Sequence, residues 1–337
     1  MSVRVAINGF GRIGRLAFRQ MFGQEKYEIV AVNDPAPAEI SAYLLKYDTT
    51  QGKYKTDAVS FREDELIVDG KSIRYTRQTD AKQLPWSELK VDLVADCSGA
   101  YRTAERAGQH LDAGAKRVVI SAPAGKDVPT VVYGVNEHIL DGSERIISAA
   151  SCSTNALAPM VKYLHEYAPV KSGMMLVVHG YTSTQMLEDN AQKKGNLRRS
   201  RAAAENIIPT TAEAAAAVGR VIPELEGRLD GSAVRVPVPV GCLITFTAVA
   251  EGEHVTAEGI NRAMREARSD VFGYAEEEYV SSDIVGNTYA SIFDPTQTLV
   301  LPLGGGLHEV RTAAWFDNEN SFVSQMVRLI DYLYKDC

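Results

Sequence analysis

The chain has 337 residues, 45% of them hydrophobic, 23% charged and 8% aromatic, with a formal net charge of −7. That length exceeds what one hydrophobic core serves, so two domains are expected, and the composition excludes a disordered chain. The acidic balance argues against nucleic acid as the main partner, and no run nears the ~18 apolar residues of a membrane span.

From Val3 to about Ser148, short apolar runs alternate with helical stretches: "VRVAING", "EIVAVND", "VDLVADCSG", "RVVISAP", "TVVYGVN" and "RIISAAS". Such runs fit strands of a parallel sheet covered on both faces, which makes residues 1–151 a doubly wound α/β (Rossmann) domain. Beyond Cys152 the strands lengthen, as in "MMLVVHGYT" (174–182) and "SAVRVPVPVGCLITFTAVAEG" (232–252). Gly304, Gly305 and Gly306 join "TLVLPL" to "LHEVRTAAWF", the pattern of a hairpin. Residues 152–318 are therefore expected to form an α+β domain with a mostly antiparallel sheet. A helix within 256–270 starts at a Thr cap and aligns Ile260, Met264 and Ala267. A last helix, about 319–337, carries Phe322, Met326, Leu329 and Leu333 at helical spacing and is expected to pack back on the first domain.

Cys97, Cys152, Cys242 and Cys337 are scattered, with no C-x-x-C pair and no histidine at zinc-finger spacing, so neither a disulfide framework nor a metal site is expected. "MSVRVAINGFG" enters strand-like alternation at once, without a leader pattern, and the expected compartment is the reducing cytoplasm.

Two constellations carry chemistry. Gly9-x-Gly11-x-x-Gly14 follows an apolar strand and opens a helix, and the next strand ends at Asp34, twenty residues beyond Gly14. The glycines permit a tight turn and close backbone approach, the helix N-terminus faces a pyrophosphate, and the acid accepts from ribose hydroxyls. Asp34 would repel a 2′-phosphate and Asn33, Pro35 and Ala36 offer no cation, so NAD is expected over NADP. Farther on, Cys152 ends the last strand of the first domain and starts a helix, where the helix terminus favours a thiolate. Pro159 is tolerable there if it falls in about the first turn. His179 ends the strand "MMLVVH", where an imidazole pairs with the thiolate and moves protons. Beside an NAD fingerprint, this pair predicts aldehyde oxidation through a thioester.

"AINGFGRIGR", "LLKYDTTQGKY", "LPW", "GAKRVVISAPA", "VVYGVN", "SCSTN", "NLRRSRAAAENIIPTT", "RVPVP", "VSSDIVGNTYASIFD" and "WFDNE" occur in order. On these segments the sequence resembles phosphorylating glyceraldehyde-3-phosphate dehydrogenases from end to end. The resemblance implies Cys152 as nucleophile and His179 as base. It further implies Asn318 on the nicotinamide amide, with Arg12, Ile13, Asp34, Gln78 and Ser121 lining the cofactor site. Ser151, Ser153, Thr182 and Arg235 would serve two anion sites, for the phosphate of glyceraldehyde 3-phosphate and for inorganic phosphate. The implied product is 1,3-bisphosphoglycerate, and the implied assembly a homotetramer in which "KKGNLRRSR" (193–201) lies against a neighbouring subunit's cofactor.

The sequence departs from that family at four places. Ser153 and Ala156 stand where threonine and cysteine are usual, Thr184 where many members carry aspartate, and Asn320-Ser321 where tryptophan-glycine is common. After "NIIPTT", Ala212 and Glu213 replace a threonine-glycine pair that faces a phosphate. Unit charges 5–6 Å apart at an effective dielectric of about 20 oppose each other by roughly 3 kcal/mol before screening. The alternatives are that Glu213 turns to solvent in a helix's first turn, or that Thr211 supplies the missing hydroxyl. Erythrose-4-phosphate dehydrogenase is the rival within the same chemistry, and a non-catalytic adhesion or binding protein on the same fold the rival outside it.

Overall fold

Val5, Ala6 and Ile7 are wholly buried, which marks β1 (Val3–Asn8) as an interior strand from which the chain winds outward in both directions. A computed structural model describes residues 2–192 and 195–335. These divide into two units: one of residues up to 133, 137–150 and from 326 on, the other of 134–136 and 151–325.

In the first unit β1 leads through α1 (Arg12–Met21) to β2 (Tyr27–Asn33), and α2 (Ala38–Lys46) precedes the meander β3 (Val59–Arg62), β4 (Glu65–Val68) and β5 (Lys71–Thr76). Then come β6 (Leu93–Asp96), α3 (Ala104–Asp112), β7 (Arg117–Ile120) and β8 (Ile146–Ser148). The sheet order is β3-β4-β5-β2-β1-β6-β7-β8, parallel from β5 to β8 and antiparallel across β3, β4 and β5. Winding reverses at β1 and β6, so the carboxyl ends of those strands frame the crevice in which such sheets take ligands. "TVVYGVN" does not become a strand. Only Thr130 bridges Ser148, and Pro129, which has no N–H, precedes it.

Trp86 anchors the core of this unit with Val94, Val118 and Ile120, and donates its indole N–H to His110 Nδ1 at 3.1 Å. His110 is also fully buried, and burial lowers its pKa to about 4. The end of the chain adds to the same unit: Asp331 takes Lys26 and the Tyr27 hydroxyl, and the Tyr334 hydroxyl donates to the Asp92 carbonyl at 3.2 Å.

The second unit begins with α4 (Cys152–Tyr167), β9 (Val170–Gly180), β10 (Ile208–Thr211), α5 (Ala214–Val221), β11 (Leu229–Val236) and β12 (Cys242–Glu251). It continues with α6 (Ala257–Glu266), β13 (Phe272–Tyr274), β14 (Ser291–Phe293), β15 (Leu299–Gly304), β16 (Leu307–Phe316) and α7 (Asn320–Leu333), whose residues from Met326 on belong to the first unit. Its sheet runs β10-β11-β9-β12-β16-β14-β13, with β15 also on β16, and is antiparallel except for β11–β9 and β13–β14. Alternation is clean in β12, where Cys242, Ile244, Phe246, Ala248 and Ala250 are buried while the residues between them are half-exposed. The stretch 232–252 is two strands rather than one, because Pro237 and Pro239 can donate no ladder bonds. Thr256 caps α6 through Gly259 N–H, while Ala267 falls at its C-cap.

Pro159 departs from expectation. It is the eighth residue of α4, not part of its first turn, and it removes the N–H that would bond the Asn155 carbonyl. A proline inside a free helix costs about 3 kcal/mol. Complete burial of Leu157, Met160, Val161 and Leu164, worth roughly 1.5–3 kcal/mol each, outweighs it. No helix among the described residues is long and apolar enough to cross a membrane.

His110 makes the fold acid-sensitive. Its folded pKa lies below the unfolded value, so between about pH 6.5 and 4 only the unfolded chain takes up the proton. Stability is therefore present above that window and falls with pH through it, by up to about 1.4 kcal/mol per pH unit. His110→Asn, whose Oδ1 can accept from Trp86, is expected to flatten the pH dependence of the thermal midpoint between pH 7 and 4.5. The opposite shift of Asp96 is common to both proteins.

Candidate active site

The turn after β1 is built for close approach. Gly9 has φ +89°, and a Cβ on it would stand 2.6 Å from Ser98 Cα; a Cβ on Gly14 would stand 2.0 Å from the Gly9 carbonyl oxygen. A Cβ on Gly11 would meet nothing within 4 Å, which leaves the start of α1 open to a large group. Asp34 accepts from Phe10 N–H at 2.7 Å through one oxygen and from Ala36 N–H at 2.9 Å through the other. Each oxygen keeps a lone pair for a ribose hydroxyl. These features fit a dinucleotide.

Other predicted cofactor residues divide by what remains available. The Arg12 side chain is committed to Asp48, at 3.0 and 3.1 Å. Burial works against the ionised Asp48 carboxylate, but the Gln51 N–H and the Arg12 guanidinium outweigh it and hold its pKa at about 2. Arg12 and half-buried Ile13 therefore present chiefly main chain at the helix start. Gln78 has an exposed side chain, its backbone being held by Asn33 in both directions at 2.9 Å. Ser121 is tied through its N–H to the Asp96 carbonyl at 2.9 Å.

In the second unit, Ser151 caps α4, its hydroxyl accepting from Thr154 N–H at 3.1 Å, and this sets Cys152 in the first helical position. Ala150, just before it, is held at φ +61°, a left-handed conformation that turns the chain into the helix. Cys152 Sγ lies 3.6 Å from His179 Nε2 and 3.9 Å from the Ser153 hydroxyl. Parallel register pairs His179 on β9 with Arg235 on β11. Arg235 Nη1 lies 2.8 Å from the Gly180 carbonyl oxygen and 2.7 Å from His179 Nδ1, and Nδ1 is itself 2.7 Å from that oxygen. Nδ1–H giving to the Gly180 carbonyl leaves Nε2 an acceptor facing the sulfur, whereas the Arg235 contact fits the other tautomer, in which Nδ1 accepts and Nε2 carries the proton.

Burial, reinforced by the Arg235 charge, lowers the His179 pKa to about 3 against the opposing pull of the Gly180 carbonyl, so the imidazole rests neutral. Burial also raises the Cys152 thiol, with Arg235 and the Ser153 hydroxyl pulling the other way. Desolvation therefore weighs against ionising either member of the pair. It acts against the ion pair expected at the helix terminus, which the terminus and Arg235 favour.

Arg199, which the sequence reading did not single out beyond its basic stretch, joins this neighbourhood. It donates to the Thr184 hydroxyl at 3.0 Å and the Thr210 hydroxyl at 3.3 Å, and Thr184 meets Thr182 at 2.9 Å. Nε of Arg199 and of Arg235 is buried without a partner, and neither guanidinium has a carboxylate partner among the described residues. Thr210, rather than exposed Thr211, provides the hydroxyl here. Ala212 is half-buried, and Glu213 is exposed at the N-cap of α5 with no capping bond from its side chain. Lys193 and Lys194 of the basic stretch lie outside the described residues, as does Cys337.

Asn318 stands between β16 and α7. Asp317 fixes that turn by accepting from the N–H groups of Gly286, Glu319 and Asn320 at 2.8–2.9 Å. No cluster of three His, Cys, Asp or Glu side chains suited to a metal occurs among the described residues.

Comparison with known proteins gives two family matches that together span most of the chain. Residues 3–104 match the family described as glyceraldehyde 3-phosphate dehydrogenase, NAD binding domain, and residues 151–318 match its C-terminal domain. The chain belongs to the glyceraldehyde-3-phosphate dehydrogenase family. It is 47% identical to the glyceraldehyde-3-phosphate dehydrogenase of Clostridium pasteurianum over 332 residues, 98% of each chain. Identity to the Streptococcus pyogenes protein of the same name is 47% over 336 residues, 99% of each chain. As a member of this family it is an NAD-dependent dehydrogenase with a Rossmann-type domain and a mostly antiparallel second domain.

Because Arg235 favours the thiolate, Arg235→Gln is expected to slow alkylation of Cys152 by iodoacetamide at pH 7 by about three- to tenfold. Peptide mass spectrometry isolates that cysteine, and an unchanged rate would show that the guanidinium does not act on the sulfur.

Proposed function

We propose that this chain oxidises glyceraldehyde 3-phosphate with NAD and inorganic phosphate to 1,3-bisphosphoglycerate, with Cys152 as nucleophile and His179 as proton carrier. The observation that carries this assignment is the 3.6 Å Cys152–His179 pair beside two guanidinium groups, Arg199 and Arg235, that have no carboxylate partner among the described residues. Two such cations suit a reaction with two phosphate groups.

The sulfur adds to the aldehyde carbon while its proton passes through His179 to the carbonyl oxygen, giving a thiohemiacetal. His179 Nε2 then takes the hydroxyl proton as hydride leaves the carbon, and a thioester remains. Bound NAD supplies the hydride acceptor. A phosphate oxygen attacks the thioester carbon, the thiolate departs, and the imidazolium returns its proton to the sulfur. N–H groups at the start of α4 stabilise the oxyanion of each tetrahedral state.

For the cofactor we assign Gly9, Gly11, Arg12, Ile13 and Gly14 to the pyrophosphate, Asp34 to the adenosine ribose, and Asn318 to the nicotinamide carboxamide. Gln78 and Ser121 complete the lining. For the anions we assign Ser151, Ser153, Thr182, Arg235, Arg199 and Thr210. Glu213, being exposed, turns to solvent and does not oppose phosphate.

We also infer a homotetramer in the cytoplasm. Support for assembly comes from the apolar outer face of the second sheet, where Met174 is 70% and Leu301 61% exposed, with Leu176, Leu299 and Leu303 beside them. Support for a reducing compartment comes from Cys97, Cys152 and Cys242, all free.

Steady-state assays with glyceraldehyde 3-phosphate and with erythrose 4-phosphate, each at varied phosphate, test the reading. Strong phosphate dependence with the triose is expected, and phosphate-independent oxidation of the tetrose would overturn it. Cys152→Ser should abolish NADH formation, and His179→Asn should lower kcat by roughly 10²–10⁴-fold. Thr184→Asp would set a carboxylate against Arg199, and the phosphate KM is expected to rise about tenfold, equivalent to about 1.4 kcal/mol. Glu213→Gly should leave that KM within about twofold.

A further inference from the structure

Cys242 is a buried thiol that no step above uses. It opens β12 at the point where three parts of the second unit meet: the end of β9, the start of β12 and the β16–α7 turn. Gly180 N–H donates to its sulfur at 3.3 Å, and the thiol donates to Asn318 Oδ1 at 3.4 Å. Burial pushes the thiol far above its ordinary range, so the sulfur keeps the proton that makes it a donor.

A carboxamide turned by 180° about its last bond would set N–H against S–H, two donors facing each other. The thiol therefore selects one orientation of Asn318, with Oδ1 toward Cys242 and Nδ2 on the opposite side. Nδ2 has no partner among the described residues, so its N–H groups are available to an acceptor. The peptide that anchors the sulfur is the same Gly180 whose carbonyl orients His179, so the base and the carboxamide share one mount.

We propose that Cys242 is a positioning residue for Asn318, fixing its carboxamide so that Nδ2–H meets the carbonyl oxygen of the nicotinamide amide. This rests on the assignment of Asn318 to the nicotinamide. An isosteric residue without a donor would leave the carboxamide free to turn, at the cost of one well-directed hydrogen bond to the cofactor.

The test compares affinities for NAD and for ADP-ribose, which lacks nicotinamide, by isothermal titration calorimetry on the full chain. Cys242→Val is expected to weaken NAD by roughly three- to tenfold and leave ADP-ribose within about twofold, whereas Cys242→Ser restores NAD. Cys242→Ala, which removes the donor without adding volume, decides the matter if the valine variant does not fold. An unchanged NAD to ADP-ribose ratio in both would overturn the proposal. Equal weakening of both ligands together with a lowered thermal midpoint would reduce Cys242 to a packing residue. Asn318→Ala separates the two levels. If it leaves the ratio intact, the nicotinamide assignment itself fails; if it shifts the ratio while the Cys242 variants do not, only the positioning role fails.

Discussion

A single carbonyl oxygen, that of Gly180, lies 2.7 Å from His179 Nδ1 and 2.8 Å from the Arg235 guanidinium, and the reactive geometry hangs on this shared contact. It holds the imidazole ring, and with it the Nε2 turned to Cys152. The parallel register of β9 and β11 makes it possible, because a slip of one residue would send Arg235 to the opposite face of the sheet. Sheet pairing far from the sulfur thus decides what the sulfur meets.

The electrostatics run against the chain as a whole. A protein of net charge −7 gathers Arg199 and Arg235 around a buried neutral histidine and gives them hydroxyl and carbonyl oxygens instead of carboxylates. Several other arginines are paired with carboxylates, as Arg12 is with Asp48 and Arg201 with Asp189. Local potential, not net charge, sets what the site attracts.

Features carried by contiguous residues were legible in the sequence. The Gly9–Gly14 turn, Asp34, the Thr256 cap and the hairpin at Gly304–Gly306 each depend on a few neighbours, so their physics lies within a short window. Cys152 and His179 were legible as residue types, but their resting protonation was not, since desolvation depends on what closes over them. Arg199 was hidden in a basic stretch that the resemblance sets against a neighbouring subunit's cofactor; only its seating against Thr184 and Thr210 distinguishes it. Pro159 and "TVVYGVN" depart in opposite directions: burial holds a helix through a proline, whereas Pro129, which has no N–H, limits an apolar run to a single bridge with Ser148.

The two arginine Nε groups, buried without partners, have a consequence beyond chemistry. Besides burial, Arg199 lies close enough to Arg235 to lower its pKa by like charge, so an anion bound to both guanidinium groups would be held chiefly by charge. Binding that favours the folded state alone adds stability as RT ln(1 + [L]/Kd). An anion that bound this pair of guanidinium groups would therefore raise the thermal midpoint as its concentration rose.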